Sequence, residues 1–241
     1  VDQNGFTVGT VTAVGGLVTL TALGGAVVSD GAGVDVTGLN LIVSGSTGVG
    51  AAGLPLTTAV TSLEGTGGAG AFFLANTGAL TIGGLSTMEG VSATGAIDVS
   101  TSSPLTVNEV VDSPFDVTLT AGAAVDLDDC ADDLTLNVSV AGHNITLNAA
   151  DEIIVNDSVT ADEDLAFNFG DAARINDLIT AGGTITFTSP DGFVDDPTCP
   201  NGIFFGPGGA LFADDIAIVV AGDIELGTLK AINTLAVTSI G

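Results

Sequence analysis

The stretch Ile145-Thr-Leu-Asn-Ala-Ala-Asp-Glu-Ile-Ile-Val-Asn-Asp-Ser-Val-Thr-Ala-Asp-Glu-Asp164 is followed by Leu165-Ala-Phe-Asn-Phe-Gly-Asp-Ala-Ala-Arg-Ile-Asn-Asp-Leu-Ile-Thr-Ala-Gly-Gly-Thr184. These are one pattern written twice. Each copy opens on two apolar residues flanking a small one (Ile145 and Leu147, Leu165 and Phe167). Each continues through a second short run (Ile153–Val155; Ile175) and a third (around Val159; Ile179). Between the runs stand Asn, Asp, Ser and Gly, the residues that tight turns accept. Three strands of three to five residues in a period of about 20, with side chains alternating inward and outward, describe one coil of a three-faced parallel β-helix.

The period extends outward. Leu105-Thr-Val107, Val125-Asp-Leu127 and Ile185-Thr-Phe187 fall on the same spacing, as do Ala121, Ala141, Ala161, Ala181 and Ala221. Gly122, Gly142, Gly182, Gly202 and Gly222 follow one position later. The expectation is an all-β, right-handed parallel β-helix, a three-faced solenoid in which Leu105, Val125, Ile145, Leu165 and Ile185 share one inward column. Phe167 and Phe187 then stack as an aromatic ladder. An antiparallel sandwich, a leucine-rich repeat and a β-propeller fit such a lattice less well.

Residues 1–90 keep the vocabulary and lose the strict spacing, with runs at Leu17–Thr21, Val34–Val43, Pro55–Leu63, Ala71–Leu74 and Ala79–Ile82. The Gly-rich segments 44–53 and 65–70, and the segment 189–202, read as loops inserted at corners of a single domain spanning 1–241. Neither Val1–Thr12 nor Ala231–Gly241 carries the pattern of an amphipathic capping helix, and Leu235-Ala-Val237 reads as a further rung. The chain opens on Val1 with no signal-peptide pattern, as a mature product or an excised section does.

With 29 Asp and Glu against Arg174 and Lys230, the net charge is -27. That excludes nucleic acid, whose binding runs on Lys and Arg. It also disfavours anionic membranes and favours divalent cations. No apolar run reaches the length of a membrane-spanning helix. High Gly and Thr with few Lys point to a secreted, extracellular chain. Cys130 and Cys199 are the only cysteines. They pair as a disulfide, remain two free thiols, or bind metal, the last without a zinc-like spacing.

Asp151, Asp171 and Asp191 stand 20 apart, and Asp157 and Asp177 repeat likewise, each after an Asn. Stacked carboxylates suit Ca²⁺, which takes six to eight oxygen ligands. The alternative is that each Asp caps its own turn. The cluster Asp126, Asp128, Asp129, Asp132 and Asp133 offers the same pair of readings. Asn156 and Asn176 form either an inward amide ladder or a surface turn. His143 reads as an exposed turn residue and Arg174 as an outward residue paired with nearby acids. Asn137, Asn144 and Asn156 open N-glycosylation sequons.

The runs Gly53-Leu-Pro-Leu-Thr-Thr-Ala-Val-Thr-Ser-Leu-Glu64 and Gly70-Ala-Phe-Phe-Leu-Ala-Asn-Thr-Gly-Ala-Leu-Thr-Ile-Gly83, with Val140–Leu147, resemble repeat segments of giant bacterial surface proteins of the filamentous-haemagglutinin and autotransporter type. The resemblance implies secretion, display at the cell surface and a long fibre used in adhesion. Pro200-Asn-Gly-Ile203 is similar to a secretion-domain motif of that group, but it lacks the leading Asn and sits late in the chain. The implied partners are further repeats of the same chain, copies of itself joined head-to-tail or laterally, and cell-surface glycans. Two other classes use the same scaffold. A carbohydrate-active enzyme needs basic residues or sugar-stacking Trp and Tyr, and Trp and Tyr are absent. An ice-binding solenoid needs a regular Thr-x-Thr face, and on the 20-residue lattice Asp126 and Ala166 interrupt the column of Thr146 and Thr186. The expectation is a structural protein, not an enzyme.

Overall fold

The structure, a computed structural model, describes residues 1–122, 133–189 and 202–240. It is a parallel β-solenoid of about 10 turns with about 21 residues per turn, and the described residues contain no helix. Every named strand pairs in parallel with the strand one coil away.

Three faces form the cylinder. The first carries Phe72–Asn76, Ile97–Thr101, Val117–Ala121, Ile145–Ala149, Leu165–Phe169 and Thr184–Thr188. The second carries Leu80–Ile82, Leu105–Val107, Leu134–Leu136, Ile153–Val155, Ala172–Ile175 and Gly202–Phe205. The third carries Val91–Ser92, Val111–Asp112, Val140–Gly142, Val159–Ala161 and Leu178–Ala181. At the two ends the strands lengthen. Val11–Ala22 and Val36–Gly45 at one end, and Ala210–Ala221 and Thr228–Ile240 at the other, bend through more than one face, with register shifts where they turn.

Alternation builds the core. In Ile145–Ala149, Ile145, Leu147 and Ala149 are buried while Thr146 and Asn148 reach the surface. One inward column runs Phe6, Val27, Val49, Phe72, Ile97, Val117, Ile145, Leu165, Ile185, Ile216 and Leu235. Each fully buried aliphatic side chain in such a column contributes about 1.5–3 kcal/mol, and only because a neighbouring coil covers it. The expected aromatic ladder is present: the Phe167 and Phe187 rings stack at 4.3 Å between centroids, 1° from parallel.

That column corrects the sequence lattice. Leu105 does not stack with Ile145; it lies on the second face between Leu80 and Leu134. The first-face column steps 20 residues from Ile145 to Leu165 to Ile185, but 28 from Val117 to Ile145 and 31 from Ile185 to Ile216. The 28-residue step exceeds a 20-residue coil by 8. The first and second faces of one coil are also 8 residues apart, as from Ile145 to Ile153. A slip of 8 therefore keeps the lattice in phase while moving it to the next face. Val125 lies outside the described residues.

The Gly-rich segments behave differently from extruded loops. Gly45 ends the strand Val36–Gly45, and fully buried Val49 bridges Val27 and Phe72 as a rung of the first face. Only Ala51–Leu54 closes as a separate small turn. Gly65 lies within Ser62–Thr66 and pairs with Val91. Glycine is required here because coils touch backbone to backbone. A Cβ at Gly70 would lie 2.0 Å from the Thr47 carbonyl oxygen; one at Gly50, where φ is +62°, would lie 2.2 Å from that of Phe73. Most of 189–202 lies outside the described residues.

Candidate functional site

The corner after the second face carries the clearest polar array. Asn108, Asn137, Asn156 and Asn176 occupy successive coils: the Nδ2 of Asn137 donates to Asn108 Oδ1 at 2.9 Å, that of Asn156 to Asn137 at 2.9 Å, and that of Asn176 to Asn156 at 2.8 Å. The backbone N–H of each Asn donates to a carbonyl of the strand one coil back, and those of Gly83 and Gly206 do the same at the two ends of the array. The ladder is exposed, so the inward alternative is corrected: in these coils the second-face core is filled by Leu136, Val155 and Ile175. Asn108 and Asn137 were missed because the coil between them is 29 residues long. A shorter relay on the first face runs from Asn168 to Asn148 at 2.9 Å and from Asn148 to Thr120 at 3.1 Å.

The expected calcium column is only partly assembled. Asp151 and Asp171 do sit on adjacent coils, where the Asp171 N–H donates to the Asp151 carbonyl at 2.9 Å. Ala172, however, pairs with Gly202, so the position following Asp171 in register is not Asp191, which itself lies outside the described residues. Asp157 and Asp177 are turn caps, each accepting the next residue's N–H at 2.6 Å. Among the described residues no three His, Cys, Asp or Glu side chains group closely enough to hold a metal ion. Cys130, Cys199 and Asp126, Asp128, Asp129 and Asp132 lie outside the described residues.

Three carboxylates that sequence reading passed over, Glu64, Glu109 and Asp35, are held by several hydrogen bonds each. Glu64 is fully buried beneath residues 84–86 and accepts from the N–H of Leu85 and of Ser86 (2.9 Å) and from the Ser86 hydroxyl. Burial works against its charge, but these bonds and one with Glu109 outweigh it and hold the carboxyl below its ordinary value. Glu109 in turn accepts from Gly84 and Gly90 N–H, both at 3.0 Å. Together the pair ties down both ends of the corner 84–90. Asp35, also fully buried, accepts from the Thr57 N–H and hydroxyl at 2.8 Å through Oδ2, while its Oδ1 has no partner.

Arg174 points outward as expected. It pairs with Glu152 and lies 5.4 Å over the Phe204 ring. Burial pushes the Glu152 carboxyl up, against the pull of Arg174 and with a further push from Asp171. His143 is half-exposed, 3.6 Å from Glu163.

Past Asp98, which is exposed and pairs in register with Thr118, the first face carries an uncharged band. Over six successive rungs its outward pairs are Thr118 and Thr120, Thr146 and Asn148, Ala166 and Asn168, Thr186 and Thr188, Ala217 and Val219, and Ala236 and Thr238. The true register places Thr118, not Asp126, before Thr146. The outward columns of the other faces carry Arg174 and Glu225, and Asp112 and Lys230.

The chain matches no protein-family model, no curated protein and no solved structure. Among the described residues no helix is long and apolar enough to cross a membrane.

Proposed function

We propose that this chain is a structural, adhesive element of an extracellular surface fibre, forming or belonging to a long β-solenoid filament by end-to-end stacking. The observation that carries the reading is the rung Thr228–Ile240. It prolongs three inward columns with Leu229, Leu235 and Val237, in register with Leu211, Ile216 and Ile218. Yet Leu235 is 51% and Val237 42% exposed, where Ile216 and Ile218 are at most 1%. One more coil on this rung would bury the columns and pair its edge, whether the same chain or a second copy supplies it. Contacts of that head-to-tail kind propagate instead of closing. The vocabulary shared with haemagglutinin-type and autotransporter-type surface proteins, the acidic charge and the lack of Trp and Tyr support a secreted, non-catalytic role with cell-surface glycans as targets. Calcium is proposed as a stabiliser, because neutralising acidic corners lowers the self-repulsion of a chain of net charge -27.

The test is negative-stain electron microscopy of the 241-residue chain at high concentration, with calcium and with chelator. Filaments of solenoid width are expected, shortened by chelator and abolished by Leu235→Asp with Val237→Asp. A monodisperse monomer under all these conditions overturns head-to-tail continuation. Calcium at a hundredfold excess over its dissociation constant would stabilise the fold by about 2.7 kcal/mol. An unchanged melting temperature across that range removes calcium from the proposal.

A further inference from the structure

We infer that the uncharged band of the first face, from Thr118 to Thr238, is a lateral docking surface for a second copy of the chain, pairing two solenoids face to face. The inference rests on the fibre reading for the identity of the partner and adds the surface by which fibres associate sideways.

Charge restricts where two such molecules can meet. Each carries a net charge of -27, and close like charges across a contact are costly. From Thr118 to Thr238 two outward columns of the first face present short side chains of Thr, Asn, Ala and Val alone. Its longest polar members, Asn148 and Asn168, are already tied along the column by their amides, so docking freezes few rotamers. Sheets bearing short uncharged side chains in register interdigitate at about 10 Å separation, as in dry zipper interfaces. No aromatic ring lies in the band to anchor a sugar, and no basic group to anchor an anion.

Size sets the strength. Six rungs about 4.8 Å apart, each five residues of about 3.3 Å, cover roughly 480 Å² on each partner. That is below the approximately 800 Å² per partner of a stable standard interface. One pair of segments therefore associates weakly, and affinity grows with every added coil as contacts in a longer fibre act together. Acidic groups border the band, with Asp98 on the rung preceding Thr118, with Asp116, Asp164 and Asp215 before it along the chain, and with Asp171 after it. Either two-fold arrangement of two face-to-face copies sets rim against rim, so salt strengthens the pairing by screening.

The test is sedimentation equilibrium of the whole 241-residue chain at submillimolar to millimolar concentration in low and high NaCl. With end-to-end growth blocked by Leu235→Asp with Val237→Asp, the expected result is a concentration-dependent dimer that stops at two copies and tightens at least several-fold with salt. Thr146→Glu with Thr186→Glu, both outward, should weaken it roughly tenfold or more. Thr160→Glu with Thr180→Glu on the third face should leave it unchanged. Circular dichroism confirms that the variants fold, and the salt response with the first face unaltered is an independent arm. The end variant Leu235→Asp with Val237→Asp should abolish filaments and spare the dimer, so the two modes fail separately. A chain monomeric throughout, or association indifferent to first-face charge, overturns the inference. So does a monomer whose first face instead restrains ice recrystallisation or retains a neutral polysaccharide.

Discussion

Phe167 and Val237 occupy the same inward column, three coils apart through Phe187 and Ile218. Phe167 is fully buried and Val237 is 42% exposed. Both are apolar, both lie on parallel strands, and both stand between an outward alanine and an outward polar residue. What separates them is whether a coil lies on each side. In a solenoid, burial is conferred by neighbours along the axis, and a core residue in mid-cylinder becomes a surface residue in an outer rung.

The sharpest way to break that comparison is to truncate both. Phe167→Ala removes a ring stacked on Phe187 and should cost about 3–5 kcal/mol in denaturant unfolding. Val237→Ala should cost well under about 1 kcal/mol, because its cavity opens to water. Equal losses would mean that the outer rung is as well covered as the centre.

Glu64 sharpens the comparison with a buried polar group. Glu64→Ala strands the Leu85 and Ser86 N–H groups and should cost about 1–3 kcal/mol, read by chemical unfolding at neutral pH. The pH dependence has a definite sign. The folded carboxyl sits below its ordinary value of 4.5, so its contribution is fully present above that value and is lost as pH falls through the folded one. Protonating the many other acids relieves repulsion and masks this. The measurement is therefore the stability difference between the unaltered chain and Glu64→Gln, which should shrink as pH falls below about 4.5.

The Asn ladder gives a smaller effect. Asn156→Ala removes one amide bond on each side at an exposed corner and should cost about 1 kcal/mol. Asn108→Ala, with a single ladder partner, should cost less, measured in the same unfolding assay. Smallest is Arg174→Ala. Its partly exposed pair with Glu152 is worth about 0.2–1 kcal/mol, less at high salt.

How much was legible follows from what repeats locally. The period near 20, the alternation in Ile145–Ala149 and the Phe167–Phe187 stack could be read from adjacent copies, because coils 145–164 and 165–184 are equal in length. In residues 1–90 the runs were seen, but Pro55–Leu63 is two strands, Leu56–Ala59 and the start of Ser62–Thr66, separated by a corner that the apolar run conceals. Glu64 gave no signal: it alternates outward beside Leu63 like any surface acid, and only residues 84–86, some 20 positions later, cover it.

The sequence by itself determined the class of fold, since short alternating strands broken by turn residues at a steady period can bury their inner faces only by stacking. It also determined the charge that limits which partners can approach. Tertiary structure decided which strand lies on which face. All three faces share one apolar vocabulary, so an 8-residue surplus between Val117 and Ile145 moves a strand to the neighbouring face without disturbing the pattern. Only the backbone hydrogen bonds between coils fix that register. They break the expected run of Asp151, Asp171 and Asp191, extend the Asn ladder to Asn108, and place Thr118 rather than Asp126 before Thr146 in the uncharged band of the first face.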